Sequence, residues 1–277
     1  MFRWYGILGI LLIFFVELNF FLKIQPLANW YFPLVWIGYI LIIDALIYKL
    51  KRNSLISNRL STFIGMALLS AGVWWIFELM NLAVNNWTYT STTSMSRIAS
   101  LLMRNISFAT VLPAVMETAE LFRTFHLFDA ITLKKKYRIS TRFIHIMMEL
   151  GVAALILPFF FPSFTYPLVW LSFFLILDPI NYLHHQPSII QHLKDRKLAI
   201  PITLLLAGIF CGFLWEFWNY WAIRKWVYDI PFLGFFKIFE MPVIGYLGYF
   251  PFAFELYALY WFARSLFYHK EHILERS

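Results

Sequence analysis

Charge is scarce in this chain, and cysteine scarcer. Asp, Glu, Lys and Arg make up 14% of the 277 residues, while 61% are hydrophobic and 21% aromatic. That is too little charge and too much apolar surface for a water-soluble domain. The one cysteine, Cys211, lies in an apolar run, which excludes an internal disulfide framework and leaves packing as the plain reading of its role. Gly-rich phosphate loops, nucleophile elbows and zinc-helix motifs are missing, so no cofactor and no metal is expected. His184, His185 and His192 fall in a basic loop with no nearby acid or cysteine framework, which falls short of a zinc site. The formal charge of +8 is spread along the rims of apolar runs instead of clustering on one face, so nucleic acid is not an expected partner. Strand alternation is also lacking, and a membrane-crossing sheet would need it throughout a closed barrel.

What the chain does have is long apolar runs. A membrane-crossing helix needs about 20 mostly apolar residues, and eight runs meet that length: 4–22, 30–49, 60–82, 98–122, 142–161, 164–183, 198–222 and 242–267. The expected fold is therefore an all-α membrane protein whose partner is the lipid bilayer, with the oligomeric state left open. Met1-Phe2-Arg3 followed by the apolar run Trp4 to Val16 has the charge order of a signal sequence. No small-residue cleavage site follows, so the run reads as a retained first span. Seventeen Lys and Arg residues fall on one side of the eight spans and five on the other, with Arg104 inside a span. By the excess of positive charge on cytoplasmic loops, both termini are expected in the cytoplasm, in a bacterial inner membrane.

The chain also repeats itself. Glu78, Asn81, Pro113 and Glu117 correspond to Glu216, Asn219, Pro251 and Glu255, each pair offset by 138 residues. Tyr31 through Asp44 matches the stretch around Pro167 through Asp178, and Ser54-Leu-Ile matches Ser188-Ile-Ile, both offset by 134. The expected organisation is two tandem four-helix repeats, 1–138 and 139–277, joined through the basic segment Leu133 to Arg142. Four spans return the chain to its starting side, so the repeats share one orientation.

Acids within apolar spans are costly unless neutral, paired or facing a polar cavity. Glu-x-x-Asn spacing puts both side chains on one helix face, and desolvation favours the neutral carboxyl, which can then donate a proton or a hydrogen bond. The competing reading is helix-to-helix glue. Four matched acids favour a functional pocket, with Glu216, Glu255, Glu78 and Glu117 as candidate catalytic groups. Candidate substrate-binding groups are Asn81 and Asn219 with the aromatics Trp75, Trp87, Trp215, Trp218, Trp226 and Tyr228, since ring faces stabilise cations. An interfacial aromatic belt explains many such rings equally well. Helices starting at Pro113 and Pro251, as proline in a first turn implies, put Glu117 and Glu255 level with Glu78 and Glu216. The stretches before them, 97–112 and 237–250, are then re-entrant or interfacial. Asp44 and Asp178 lie near the cytoplasmic ends of their spans, with ion pairing to Lys49 or Lys51 the expected role for Asp44. His145 and Glu149, one turn apart, read as a buried pair.

The Trp215-Glu216 step, its counterpart Phe77-Glu78, the aromatic surroundings and the proline-led helix carrying an acid resemble small integral-membrane isoprenoid cyclases and hydratases. That group comprises membrane lycopene cyclases, carotenoid hydratases and transmembrane terpene cyclases. The resemblance implies acid-initiated cyclisation, isomerisation or hydration of a hydrophobic isoprenoid-like lipid entering from the bilayer. Two other readings stand beside it: a proton- or cation-coupled transporter using the repeated acids, and a lipid-binding or scaffold protein without chemistry.

Overall fold

The computed structural model describes residues 2–232 and 234–267. Lys270 and Arg276, which contribute to the charge asymmetry, lie outside the described residues. The chain is mostly helical. Helix α1 (Trp4–Leu22) and α2 (Tyr31–Lys51) form a hairpin, followed by the short α3 (Leu55–Asn58), the long α4 (Leu60–Val84), strand β1 (Trp87–Ser91), α5 (Arg97–Ala109) and α6 (Val111–Thr124). The second half runs α7 (Thr141–Phe160), α8 (Pro162–Thr165), α9 (Val169–Leu183), α10 (Ile189–Lys194), α11 (Ala199–Trp221) and β2 (Arg224–Tyr228). It ends with the two-residue strands β3 (Lys237–Ile238) and β4 (Met241–Pro242), a 3-10 turn and α12 (Tyr249–Phe267).

Seven helical stretches among the described residues are long and apolar enough to cross a membrane, as expected of a multi-pass membrane protein. The eighth expected span, 242–267, is α-helical only from Tyr249, after the 3-10 turn Val243–Gly248. The three tyrosines and two charged residues of α12 lower its hydropathy. Such a helix tolerates them because α12 packs between α9 and α11, with Phe252 and Ala253 and the run Glu255–Tyr260 buried. Helix α6 takes the corresponding place against α2, α4 and α11. Small residues let helices approach closely where lipid gives no hydrophobic drive. A Cβ on Gly9 would meet the Gly38 carbonyl at 2.6 Å, and one on Gly151 would meet Ile176 Cγ1 at 2.7 Å.

Two polar devices fix the ends of the bundle. At the sheet end, Asn81 on α4 donates Nδ2 to the Trp87 carbonyl at 2.8 Å and accepts the Asn86 N–H at 2.9 Å. Asn219 on α11 does the same for Trp226, at 2.8 Å to its carbonyl and 2.9 Å from its N–H. Each carboxamide mimics a neighbouring strand, and the strands it holds pair antiparallel with reciprocal register: Trp87 opposite Tyr228, Thr88 opposite Val227, Tyr89 opposite Trp226. At the opposite end, Asp44 accepts Ser54 Oγ at 2.8 Å, the Ile56 N–H at 2.8 Å and the Tyr5 hydroxyl. Asp178 accepts the Ile189 and Ile190 N–H groups at 2.6 and 2.9 Å. Both acids thus tie the short helix that follows to its span, satisfying N–H groups with no helical partner. The lysine pairing expected of Asp44 is not formed; Lys51 pairs with Glu120 instead. His145 and Glu149 are exposed on α7, not buried, because α7 turns only its Ile144, Met147, Gly151 face towards α9.

His192, in α10 outside the spans, is half-buried, with Nε2 3.0 Å from the Tyr257 hydroxyl. Burial, aided by the charge of Arg123, pushes its pKa down from 6.5 to about 4. A folded pKa below the unfolded one means that the unfolded chain binds the extra proton first, so stability falls as pH drops from about 6.5 to about 4. Thermal midpoints measured across that window should decline in the wild type and decline less in H192Q. Parallel profiles would show that His192 does not contribute.

Candidate functional site

One cavity of about 610 Å³ lies at the sheet end, within the size range of small-molecule sites. Strands β1 and β2, helix α5 and the 241–252 segment enclose it. Its walls include Trp74, Trp87, Trp170, Trp215, Trp226 and Phe252, with Tyr89, Tyr228, Tyr249, Arg104 and Arg224 supplying polar groups. The rings pack against one another as well as against the cavity: Phe77 stacks on Trp170 with centroids 5.1 Å apart, and Trp87 lies 5.7 Å from the same indole.

The candidate acids do not line this cavity. Glu216 is fully buried beneath it, and its Oε1 accepts two hydroxyls, from Tyr228 and Tyr249, each at 2.7 Å. Its Oε2 has no hydrogen-bond partner among the described residues. Both tyrosines face the cavity, so Glu216 reaches it through two phenols. Tyr228, on β2 outside the spans, has its pKa raised well above 10 by burial and then by the Glu216 carboxylate, which keeps it a neutral O–H donor. Glu78 is the matched acid on α4, and its Oε1 accepts Tyr89 O–H at 2.6 Å and Trp87 Nε1 at 3.1 Å.

Local sequence explains why the two acids differ. Gly212 on α11 leaves room for the Tyr249 ring, which a Cβ there would meet at 2.4 Å, and Gly208 lets the Tyr249 carbonyl approach, which a Cβ would meet at 2.6 Å. The residues 138 positions earlier are Trp74 and Val111 in place of Gly212 and Tyr249. The bulk has moved from one helix to its neighbour, and only Glu216 gains a second phenol.

Glu117 and Glu255 lie elsewhere. Helices α6 and α12 do start two residues before Pro113 and Pro251, close to the expected positions. Those starts sit deep in the bundle, since Ser70 in mid-α4 accepts the Leu112 N–H at 3.0 Å and donates to the Phe108 carbonyl. At a rise of 1.5 Å per residue, Glu117 ends up about 20 Å below Glu78 along the axis, and Glu255 about 15 Å below Glu216. Four level acids are therefore not found. Glu255 Oε1 accepts the Phe173 N–H at 2.8 Å, while Glu117 is fully buried beside Asp44. The 97–112 and 237–250 segments both contribute residues to the cavity wall.

Of the aromatic candidates, Trp87, Trp215, Trp226 and Tyr228 line the cavity. Trp75 bonds Asn105 at 3.0 Å, and Trp218 packs edge-on to Trp36. Asn81 and Asn219 spend their polar atoms on the strands. Sequence reasoning passed over Tyr249, Trp170, Arg104 and Arg224 as site residues. Tyr249 stands two residues before the repeated Pro251, and Arg104 is a cation inside an apolar run, so both carried a signal. No metal-binding cluster of His, Cys, Asp and Glu occurs among the described residues. Comparison with protein-family models, curated proteins and solved structures gave no match.

Tyr249 can reach Glu216 only while residue 212 lacks a side chain. Substituting G212A should destabilise the protein by about 1–3 kcal/mol through overpacking, read as the thermal midpoint in detergent. Adding Y249A should recover part of that loss, a coupling expected of touching residues. Strictly additive effects would mean the two positions do not compete for space.

Proposed function

We propose that the protein is an integral-membrane enzyme that binds a hydrophobic isoprenoid-like lipid in the aromatic cavity. Protonation then initiates cyclisation, isomerisation or hydration, with Glu216 acting through Tyr228 and Tyr249. The observation carrying this reading is the pair of phenols, each joined to one buried carboxyl and each facing an aromatic cavity. For this step Glu216 is protonated and its hydrogen bond to one phenol is reversed, so that the carboxyl gives its proton to the phenol oxygen as the tyrosine O–H, turned to the cavity, passes its own to an alkene carbon. The resulting carbocation would be stabilised by the indole faces around it. Loss of a proton from the rearranged cation, or from water that has added to it, returns the proton to the relay.

The resemblance to membrane isoprenoid cyclases and hydratases points the same way. The matched Asn clasps, the matched Asp ties and the reciprocal strand register support two parallel repeats related by a pseudo-two-fold axis through the Thr88–Val227 pair. The Lys and Arg distribution favours a cytoplasmic α3/α10 end and an outer cavity. A transporter would need a polar path beyond the cavity, and the acids best placed to extend one, Asp44 and Asp178, are instead bonded to the short helices.

The test compares lipid extracts from cells expressing wild type and variants. E216Q, which keeps the shape but not the acid, should lower conversion by about 10²-fold or more with the folded protein still present in the membrane. Y228F and Y249F should each lower it less, because one phenol remains. Undiminished conversion in E216Q would leave the lipid-binding protein without chemistry as the better reading.

A further inference from the structure

Two guanidinium groups interrupt the aromatic wall of the cavity, Arg104 from α5 and Arg224 from the start of β2. Neither pairs with a carboxylate among the described residues, where the three ion pairs are Lys51–Glu120, His126–Asp129 and Lys225–Glu240. Arg224 Nη1 donates to the Thr93 carbonyl at 3.2 Å and lies 3.3 Å from Ser91 Oγ, and its Nη2 is 3.5 Å from Ser100 Oγ. Arg104 stands 5.9 Å from the Tyr89 ring centroid. Ser100 and Arg104 are one turn apart on the same face of α5, so the reach of Arg224 to Ser100 brings the two cations to adjacent places on the wall. Both are half-buried. Of the acids at this end, Glu78 and Glu216 are occupied by tyrosines and Glu240 by Lys225, and Asp229, just past β2, is exposed and pairs with neither arginine among the described residues.

Two like charges held together in a partly desolvated site repel each other unless an anion bridges them. Guanidinium forks match phosphate oxygens in geometry and charge. We propose that the cavity takes a phosphorylated lipid, its phosphate monoester held by Arg104 and Arg224 and its chain lying along Trp87, Trp170 and Trp226 towards Tyr228 and Tyr249. A phosphate dianion answers both cations, whereas a carboxylate answers one. This inference rests on the cavity being the lipid site and is independent of the proton chemistry.

The experiment titrates the full-length protein in a neutral detergent with farnesyl phosphate, farnesol and inorganic phosphate in turn, following tryptophan fluorescence. Farnesyl phosphate should bind at least about tenfold more tightly than farnesol, a difference of about 1.4 kcal/mol, and far more tightly than inorganic phosphate. R104Q and R224Q should each reduce the preference for farnesyl phosphate, and together abolish it, with farnesol binding kept. If the glutamine variants also lose farnesol binding, the paired R104K and R224K change decides: a retained preference supports the assignment, and a lost one overturns it. Equal binding of farnesol and farnesyl phosphate by the wild type overturns it, as does a preference that survives the glutamine pair. Inorganic phosphate binding as tightly as farnesyl phosphate overturns the lipid part of the assignment. Phosphate preference alongside full conversion in E216Q would sink the proton chemistry alone, and equal binding alongside Glu216-dependent conversion would sink this inference alone.

Discussion

One carboxyl oxygen, Glu216 Oε1, receives two phenol hydroxyls in a fully buried position, and much of the surrounding architecture brings those phenols to it. Tyr228 arrives on β2, whose middle residue Trp226 is held through its backbone by the Asn219 carboxamide. Tyr249 arrives at the first turn of α12, which packs against α11 at two positions without side chains, Gly208 and Gly212. A buried acid with neither phenol would carry the full cost of desolvation. The Asn clasp and the glycine contact therefore determine both the stability of the acid and its access to the cavity.

The two halves use the same parts to different ends. Each has a long helix carrying Glu and Asn, a Trp-x-Tyr strand held by that Asn, and an Asp that ties down a short helix at the far end. The exchange of Trp74 and Val111 for Gly212 and Tyr249 separates them, giving Glu78 an indole and a phenol where Glu216 has two phenols. Reciprocal pairing between β1 and β2 places the two Trp-x-Tyr segments side by side. The cavity thus draws on both halves, while the acid with two phenols belongs to one.

The helical, membrane-crossing character was legible in the sequence, because long lipid-soluble runs need no tertiary information. Seven stretches crossed the threshold of length and apolarity as expected. The eighth, α12, fell short because a helix enclosed by other helices need not be lipid-like. Depth was misread for Glu117 and Glu255: the prolines do lie near helix starts, but α5 and the 3-10 turn carry those starts into the bundle, which no local pattern announces. Nor did periodicity reveal the roles of the asparagines. Glu-x-x-Asn placed both side chains on one face, yet the carboxamides bind strand backbone seven or fewer residues away, a use that depends on where the chain turns. Arg104 stood out as a cation inside an apolar run, but its convergence with Arg224 depends on β1 pairing with β2 across more than 130 residues.

The central claim is that lipid in the aromatic cavity meets Glu216 only through Tyr228 and Tyr249. The most direct measurement is an electron-microscopy structure of the protein in lipid nanodiscs, at a resolution that shows side chains and bound lipid. The account predicts elongated density along the indoles, in contact with both tyrosine hydroxyls and separated from the Glu216 carboxyl by them. A cavity filled by protein side chains, or lipid density in direct contact with Glu216 with the tyrosines turned away, would contradict it.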